Sequence, residues 1–421
     1  LQKARPTGTA FFVWLKAIKS AIIFYMLNNS FFVRKDLGGA PTGGDLIAYS
    51  DAAEQPVIDA ISKKTDFESL RLQRLLALPD LTRQQNSPIK FIIDKILQLP
   101  AFKGFDVAQI PETVTVENAF DIFNFPADHP SRRPSDTYFV ASDRIRRTHT
   151  TSMWLYYLND IKTRLVLEQN GWLGELSYGK VYRKDEIDRN HFPIFHQIDG
   201  LYIAKKEQLK IELEGLQEVL ASIVKSVFGP QIEYRFLDDS FPFTDPSTQI
   251  EIKWGNQWLE IVGAGLVHKN VLENFNLDAG IYNGWAFGFG LERLAMIKMN
   301  IPDIRILWSQ DPRITKQFTS IDSQYQEVSK YPEVIRDISF VVSKETSLNR
   351  FYEIVRHCGG DLVEEVKQTD KYEDAKKFGA DKVSYTFRVI YRSHERTLTN
   401  EEINVIHAEI ENFVKKEFAA V

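Results

Sequence analysis

A single cysteine, Cys358, stands in 421 residues. Neither an internal disulfide nor a cysteine-rich zinc site can be built from one thiol, and the chain reads as intracellular. Net positive charge is also missing. With 52 basic and 57 acidic residues the formal charge is −5, which excludes a uniformly basic nucleic-acid coat and leaves only local faces for any nucleic acid. No apolar run approaches the ~20 residues of a membrane span: AFFVWL (10–15) and AIIFYML (21–27) are split by Lys16 and Lys19. No internal repeat or low-complexity tract is visible. Acidic residues are absent before Asp36, whereas Lys3, Arg5, Lys16, Lys19, Arg34 and Lys35 precede it. Such a segment resembles an organellar transit peptide. Because the chain begins with Leu1, a fragment, or upstream sequence ahead of a start at Met26, is an equal alternative. Residues 1–40 are therefore set aside as a leader.

What is present is ordinary globular sequence, 43% hydrophobic and 26% charged, long enough for two to three domains. An N-terminal arm, 41–85, carries a helix through FESLRLQRLLAL (67–78), with Leu70, Leu72, Leu75, Leu76 and Leu78 on an imperfect stripe. A second short helix is expected over 90–99. A long helix over 205–228 follows from Leu209, Leu213, Leu216, Leu220, Ile223 and Val227 at spacings of three and four. Residues 248–265 read as a hairpin about Gly255-Asn256, and GWAFGFGLERLAMIKM (284–299) as strand, glycine corner and helix. The polar stretch 308–332 reads as a linker. Beyond it, 334–416 give strand, helix, strand, strand, helix, the pattern of a small antiparallel sandwich. The fold class is α+β.

Two phosphate-loop signatures fail on inspection. GELSYGK (174–180) has Walker-like spacing, but Val181 follows in place of a hydroxyl residue and the continuation reads as strand. GFGLER (288–293) lacks the third glycine of a dinucleotide fingerprint and has no βαβ unit around it. A different constellation remains. In VYRKDEIDRNHFPIFHQIDGLYI (181–203) two strands flank a loop; Val181, Arg183 and Asp185 share one face of the first, and Phe195, Gln197 and Asp199 one face of the second. Arg183 can clamp a phosphate, Phe195 can stack on a base, and Asp185, Gln197 and Asp199 can receive an ammonium or adenine amino group. Arg293, in the first turn after the glycine corner, suits terminal phosphates. The bland alternatives are a solvated charged hairpin and a surface ion pair of Arg293.

With these motifs the chain resembles class II aminoacyl-tRNA synthetases, specifically the single-chain, mitochondrial phenylalanyl type, from about residue 86 to the C-terminus. PADHPSRRPSDTY (126–138) is similar to the family's motif 1, VYRKDEIDRNHFPIFHQ to motif 2, GWAFGFGLERLAMIKMNIPDIR to motif 3, and FPFTDPS (241–247) to its phenylalanine-pocket segment. SKYPEVIRDISF and YRSHERTLTNEEI resemble its ferredoxin-fold anticodon-binding domain. The implied organisation is a catalytic domain over 86–310, a linker over 311–328 and an anticodon-binding domain over 329–421.

The resemblance implies ATP, Mg2+, L-phenylalanine and tRNA(Phe) as cofactors and partners, with aminoacylation at the 2′-OH through a phenylalanyl-adenylate. It implies Arg183 on the α-phosphate, His191 and Arg293 on the outer phosphates, Phe195 under adenine and Asp185 beside the nucleotide. His149, Thr151, Gln197 and Asp199 would hold the amino and carboxylate groups of phenylalanine. Phe241 and Phe243 would meet its ring, Ala286 would form the floor, and Glu260 would bind magnesium. For tRNA, Tyr385, Arg388, Tyr391, Arg392 and Arg396 are candidates, with Tyr385 and Phe387 alternatively strand core. A monomer is expected, with no membrane partner, in the mitochondrial matrix if the leader is a transit peptide and in the cytoplasm otherwise. Two rivals are a ligase of the same fold with a non-tRNA acceptor, against which the C-terminal domain speaks, and a non-catalytic tRNA-binding paralogue, which would lack Arg183 or Arg293.

Overall fold

The protein is described by a computed structural model over residues 32–186, 188–327, 331–393 and 395–418. Most of the acid-free leader lies outside the described residues. Its last part does not stand apart from the fold: Val33–Gly39 (β1) pairs antiparallel with Asp45–Ser50 (β2). Further strands follow at Asp106–Gln109 (β3), Thr113–Thr115 (β4), Arg144–Arg146 (β5), Trp172–Tyr182 (β6), Ile194–Lys205 (β7), Tyr234–Phe241 (β8), Thr244–Trp254 (β9), Gln257–Val267 (β10) and Tyr282–Gly290 (β11). Nine of them make one sheet in the order β1-β2-β3-β6-β7-β11-β10-β9-β8, antiparallel except where β3 meets β2 and β6. The short pair β4 and β5 stands aside.

Helices cover both faces of this sheet, so β6 and β7 are buried along nearly their whole length instead of alternating. On one face the helices Pro88–Leu97, Leu213–Phe228 and Leu291–Lys298 bury Ile92, Ile96, Leu220, Ile223 and Leu294. On the other, the helix Met153–Asn159 buries Met153, Trp154 and Tyr157 against Leu201, Ile203 and Ala286. Ser87 caps the first of these helices through the Ile89 N–H, with Pro88 in its first turn.

Two expectations change. The helix over 205–228 begins only at Leu213, and Leu209 is exposed. The Asn283 amide accepts from Ile211 N at 2.8 Å and donates to Leu209 O at 3.0 Å, holding 209–211 against β11 where a helical turn would consume those groups itself. The polar stretch 308–332 is not a free linker throughout: Ile314, Phe318 and Tyr325 are buried in the core beneath the nine-stranded sheet.

The C-terminal unit is the expected βαββα: Val334–Ser343 (β12), Val363–Tyr372 (β13) and Lys382–Tyr391 (β14), ordered β12-β14-β13, under the helices Asn349–Gly359 and Asn400–Phe418. Phe340, Phe351, Phe387, Ile403 and Ile410 form its core. It rests on the larger body through Phe67, which packs on His357 and Phe413, and through polar contacts. Glu353, buried, lies 2.5 Å from Arg71 Nε and accepts from the Tyr138 hydroxyl at 3.0 Å, and Arg189 meets Glu364 at 2.7 Å.

Candidate active site

β6 and β7 pair with Val181 opposite Phe195, Gly179 opposite Gln197 and Ser177 opposite Asp199. β7 in turn sets Gln197 opposite Gly290, Asp199 opposite Gly288 and Leu201 opposite Ala286 on β11. The strand period of two thus places Phe195, Gln197 and Asp199 on one face, as expected. Gly288 is required there: a Cβ on it would stand 2.6 Å from Asp199 Oδ1.

Arg183 and Asp185 lie just beyond β6, in the loop that leads to β7. The Arg183 guanidinium sits 5.0 Å from the Phe195 ring centre and donates from Nε to Thr148 O at 2.9 Å. Its terminal nitrogens have no protein acceptor among the described residues, which leaves a forked donor for an oxyanion. His191 is exposed, with Nδ1 2.8 Å from Asp188; that hydrogen bond raises its pKa and favours imidazolium. Arg293, exposed in the first turn of Leu291–Lys298, donates to Glu260 O at 3.2 Å, which brings β10 and the arginine to one rim. No group of three or more His, Cys, Asp or Glu side chains that could hold a metal is found among the described residues. The exposed Glu260 carboxylate at this rim is not part of a closed protein cage for a cation.

The other end is built on Thr148–Thr151. The hydroxyls of Thr150 and Thr151 donate to the two oxygens of Asp199, Thr151 at 2.7 Å. Thr150 N donates to Gln197 Oε1 at 3.3 Å. Burial pushes the Asp199 carboxyl up to about 6 despite the two threonines. His149 is stacked on Phe125 at 5.8 Å, and neither ring nitrogen has a hydrogen-bond partner. Burial, then the Arg183 charge, lowers its pKa to about 3, so the imidazole is neutral. Phe241 and Phe243 lie nearly parallel, 5.9 Å apart, and Ala286 is buried on the same sheet face. Phe243 also packs against Phe123, Phe125 and Trp154.

The result is a strip of one sheet face with a cationic, aromatic end and an anionic end lined by phenyl rings. Residues 75–318 match the family described as tRNA synthetases class II core domain (F), and residues 329–421 match the ferredoxin-fold anticodon binding domain. The chain belongs to the class II tRNA synthetases. Similar proteins include the chloroplastic/mitochondrial phenylalanine–tRNA ligase of Arabidopsis thaliana, 34% identical over 397 residues, which span 90% of this chain and 86% of that protein. The mitochondrial phenylalanine–tRNA ligase of Mus musculus is 37% identical over 349 residues, 74% of this chain and 73% of its own length. That of Saccharomyces cerevisiae is 30% identical over 447 residues, covering 86% of this chain and 94% of its own.

Several residues of this synthetase escaped the sequence reading. Thr150 stands between the expected His149 and Thr151 and shares Asp199 with Thr151. Phe123, Phe125 and Trp154 complete the ring wall, and the phenylalanine-rich run FDIFNF (120–125) was the available signal. His196 is fully buried: its Nε2 accepts from Leu81 N at 3.0 Å, so Nδ1 carries the proton and donates to Glu292 at 2.6 Å. This bond ties β7 to the helix that bears Arg293.

In the C-terminal unit one candidate is corrected. Tyr391 is fully buried and its hydroxyl meets His407 at 3.0 Å, so it serves the core and offers no surface to RNA. Tyr385 is half-buried and packs on that core, toward the alternative reading. Arg388 is paired with Asp337, Arg392 with Glu364 and Glu333, and Arg396 with Glu402.

Proposed function

We propose that this synthetase activates L-phenylalanine with ATP and passes the phenylalanyl group to the 2′-OH of tRNA(Phe). The observation that carries the reading is the pairing of Arg183 over Phe195 with the Thr150, Thr151 and Asp199 cluster two residues of the same strand face further along, past Gln197. A nucleotide and an amino acid laid end to end along that strip bring the amino-acid carboxylate to the α-phosphorus. Phe195 stacks on adenine, Arg183 holds the α-phosphate, and His191 and Arg293 hold the outer phosphates, with Asp185 beside the nucleotide. Asp199 receives the substrate ammonium; Gln197, Thr151 and the neutral His149 orient the amino and carboxylate groups.

No protein nucleophile is required. The substrate carboxylate attacks in line, pyrophosphate leaves toward Arg293, and positioning and charge stabilisation by the two arginines supply the catalysis. A magnesium ion held by the phosphates and Glu260 would neutralise charge on the triphosphate. Phe241, Phe243 and the outer ring wall select an aromatic side chain, and the small, buried Ala286 closes the floor against a para-hydroxyl, which would be left there without a partner. The C-terminal unit takes the tRNA, with Arg388, Arg392 and Arg396 exchanging carboxylate partners for phosphates and Tyr385 at their side. The protein works as a monomer; the names of the relatives and the basic segment ahead of Asp36 support a place in the mitochondrial matrix.

The deciding experiment is ATP–pyrophosphate exchange across the twenty amino acids. Phenylalanine alone should support rapid exchange; preference for another amino acid, or none, overturns the reading.

A further inference from the structure

Buried polar atoms without a hydrogen-bond partner gather on the face that carries the amino-acid end of the site. They are Thr148 Oγ1, both ring nitrogens of His149, Trp154 Nε1, Ser177 Oγ and both carboxyl oxygens of Glu175. An unpaired buried polar group is costly, so such a cluster calls for a role. Thr148 and His149 belong to the substrate end and Trp154 to its ring wall. Glu175 and Ser177 have no part in the reading above, and both are 0% exposed.

Their placement follows from register. Ser177 lies directly opposite Asp199, and Glu175 is the next residue of β6 on that face. Glu175 is therefore a diagonal neighbour of Asp199, within reach of a side chain of its length. On its other side β3 sets Asp106 beside it. The titratable groups around Glu175 are Asp106 on β3, Asp199 on β7, Tyr157 on the helix Met153–Asn159 and Tyr49 on β2. Tyr157 donates to Asp106 at 2.6 Å and Tyr49 to Asp160 at 2.8 Å, so neither hydroxyl is given to Glu175. Its charged neighbours are both acids. An ionised third carboxylate in that enclosure has nothing to balance it. Burial, then Asp106 and Asp199, raise the Glu175 pKa well above the usual carboxyl range, which leaves an O–H donor at neutral pH.

Asp199 accepts one hydroxyl on each oxygen, from Thr150 and Thr151. A carboxylate offers about four acceptor positions. We infer that Glu175 is a positioning residue of the amino-acid site: its carboxyl O–H takes a third acceptor position on Asp199 and leaves the fourth to the substrate ammonium, so that the pocket presents one aimed negative charge. The inference rests on the assignment of Asp199 to that ammonium. It concerns phenylalanine binding and not the ATP end, where Glu175 has no contact.

The test is phenylalanine-dependent pyrophosphate exchange with the full chain, reading KM for phenylalanine, KM for ATP and kcat. Glu175→Leu fills the space but removes the donor; KM for phenylalanine should rise about tenfold while KM for ATP and kcat stay within about twofold. Glu175→Gln, which keeps an N–H donor, should hold KM for phenylalanine within about threefold of the parent. Thermal melting checks that both variants are folded. An unchanged KM for phenylalanine in Glu175→Leu overturns the inference, as does a Glu175→Gln defect equal to that of Glu175→Leu, or a parallel loss of ATP binding and kcat. Asp199→Asn separates the two levels: if it leaves KM for phenylalanine unchanged, the ammonium assignment itself fails, whatever the Glu175 variants do.

Discussion

Arg71 of the N-terminal arm and Glu353 of the C-terminal unit form a buried ion pair across the junction, 2.5 Å apart, with side-chain exposures of 5% and 1%. Arg356 adds a second contact to the same carboxylate at 3.1 Å. Arg71→Met leaves Glu353 with Arg356 and the Tyr138 hydroxyl; since a fully orphaned buried charge costs about 3–5 kcal/mol, a loss of at most about 3 kcal/mol is expected. The double variant Arg71→Met with Glu353→Leu should recover most of it. Denaturant unfolding of the parent, the two single variants and the double variant measures both, and an additive double variant would show that the pair is not coupled.

With Asp199 as the proposed partner of the substrate ammonium, amino-acid binding should depend on pH. Its folded pKa, about 6, lies above the ordinary 3.8, so protonation removes the charge that attracts the ammonium. KM for phenylalanine should rise as pH falls through about 6, and Asp199→Asn should show a KM already raised about tenfold and flat across that range. The stability effect has the opposite sense. A raised folded pKa means that the native state holds the proton more tightly, so this contribution is complete below pH 3.8 and lost as pH rises through about 6. Urea titrations of parent and variant between pH 4 and 8 read that difference.

Gly288 is the close approach that lets Asp199 sit where it does. Gly288→Ala brings a Cβ within 2.6 Å of the carboxylate, so Asp199 must leave its threonine partners. The expected outcome is a loss of tenfold or more in kcat/KM for phenylalanine, with KM for ATP little changed, in the exchange assay.

Ala286→Gly removes the only side-chain carbon from the proposed floor. Discrimination against para-chloro-phenylalanine should fall by about tenfold or more, the scale set by one methyl group in a tight pocket. If adenylate formation retains the parent's selectivity, Ala286 is not the floor.

Much of this was legible because it depends on local chemistry. The period of two identified the face shared by Phe195, Gln197 and Asp199, and the glycine corner placed Arg293 in the first helical turn, where it is found. Contacts between distant segments were not legible. Nothing in the spacing of Leu209 reveals that Asn283, 74 residues later, takes the backbone groups a helix would need there. Tyr391 looked available because an alternating strand shows which residues share a face but not which face is covered; the helix bearing His407 decides that. Glu175 sits in a strand buried on both sides, where periodicity carries no signal.

The His196 imidazole, held by Leu81 N on one side and Glu292 on the other, has a consequence for adaptability. Because the bond joins the strand that carries Phe195 to the helix that carries Arg293, the nucleotide clamp is stiffened from beneath the sheet, on the side away from the ring wall. On the proposed assignment, changes among Phe241, Phe243 and Ala286 would alter which amino acid is accepted without retuning the grip on the triphosphate. The two substrates would then be read by parts of the protein that can diverge separately.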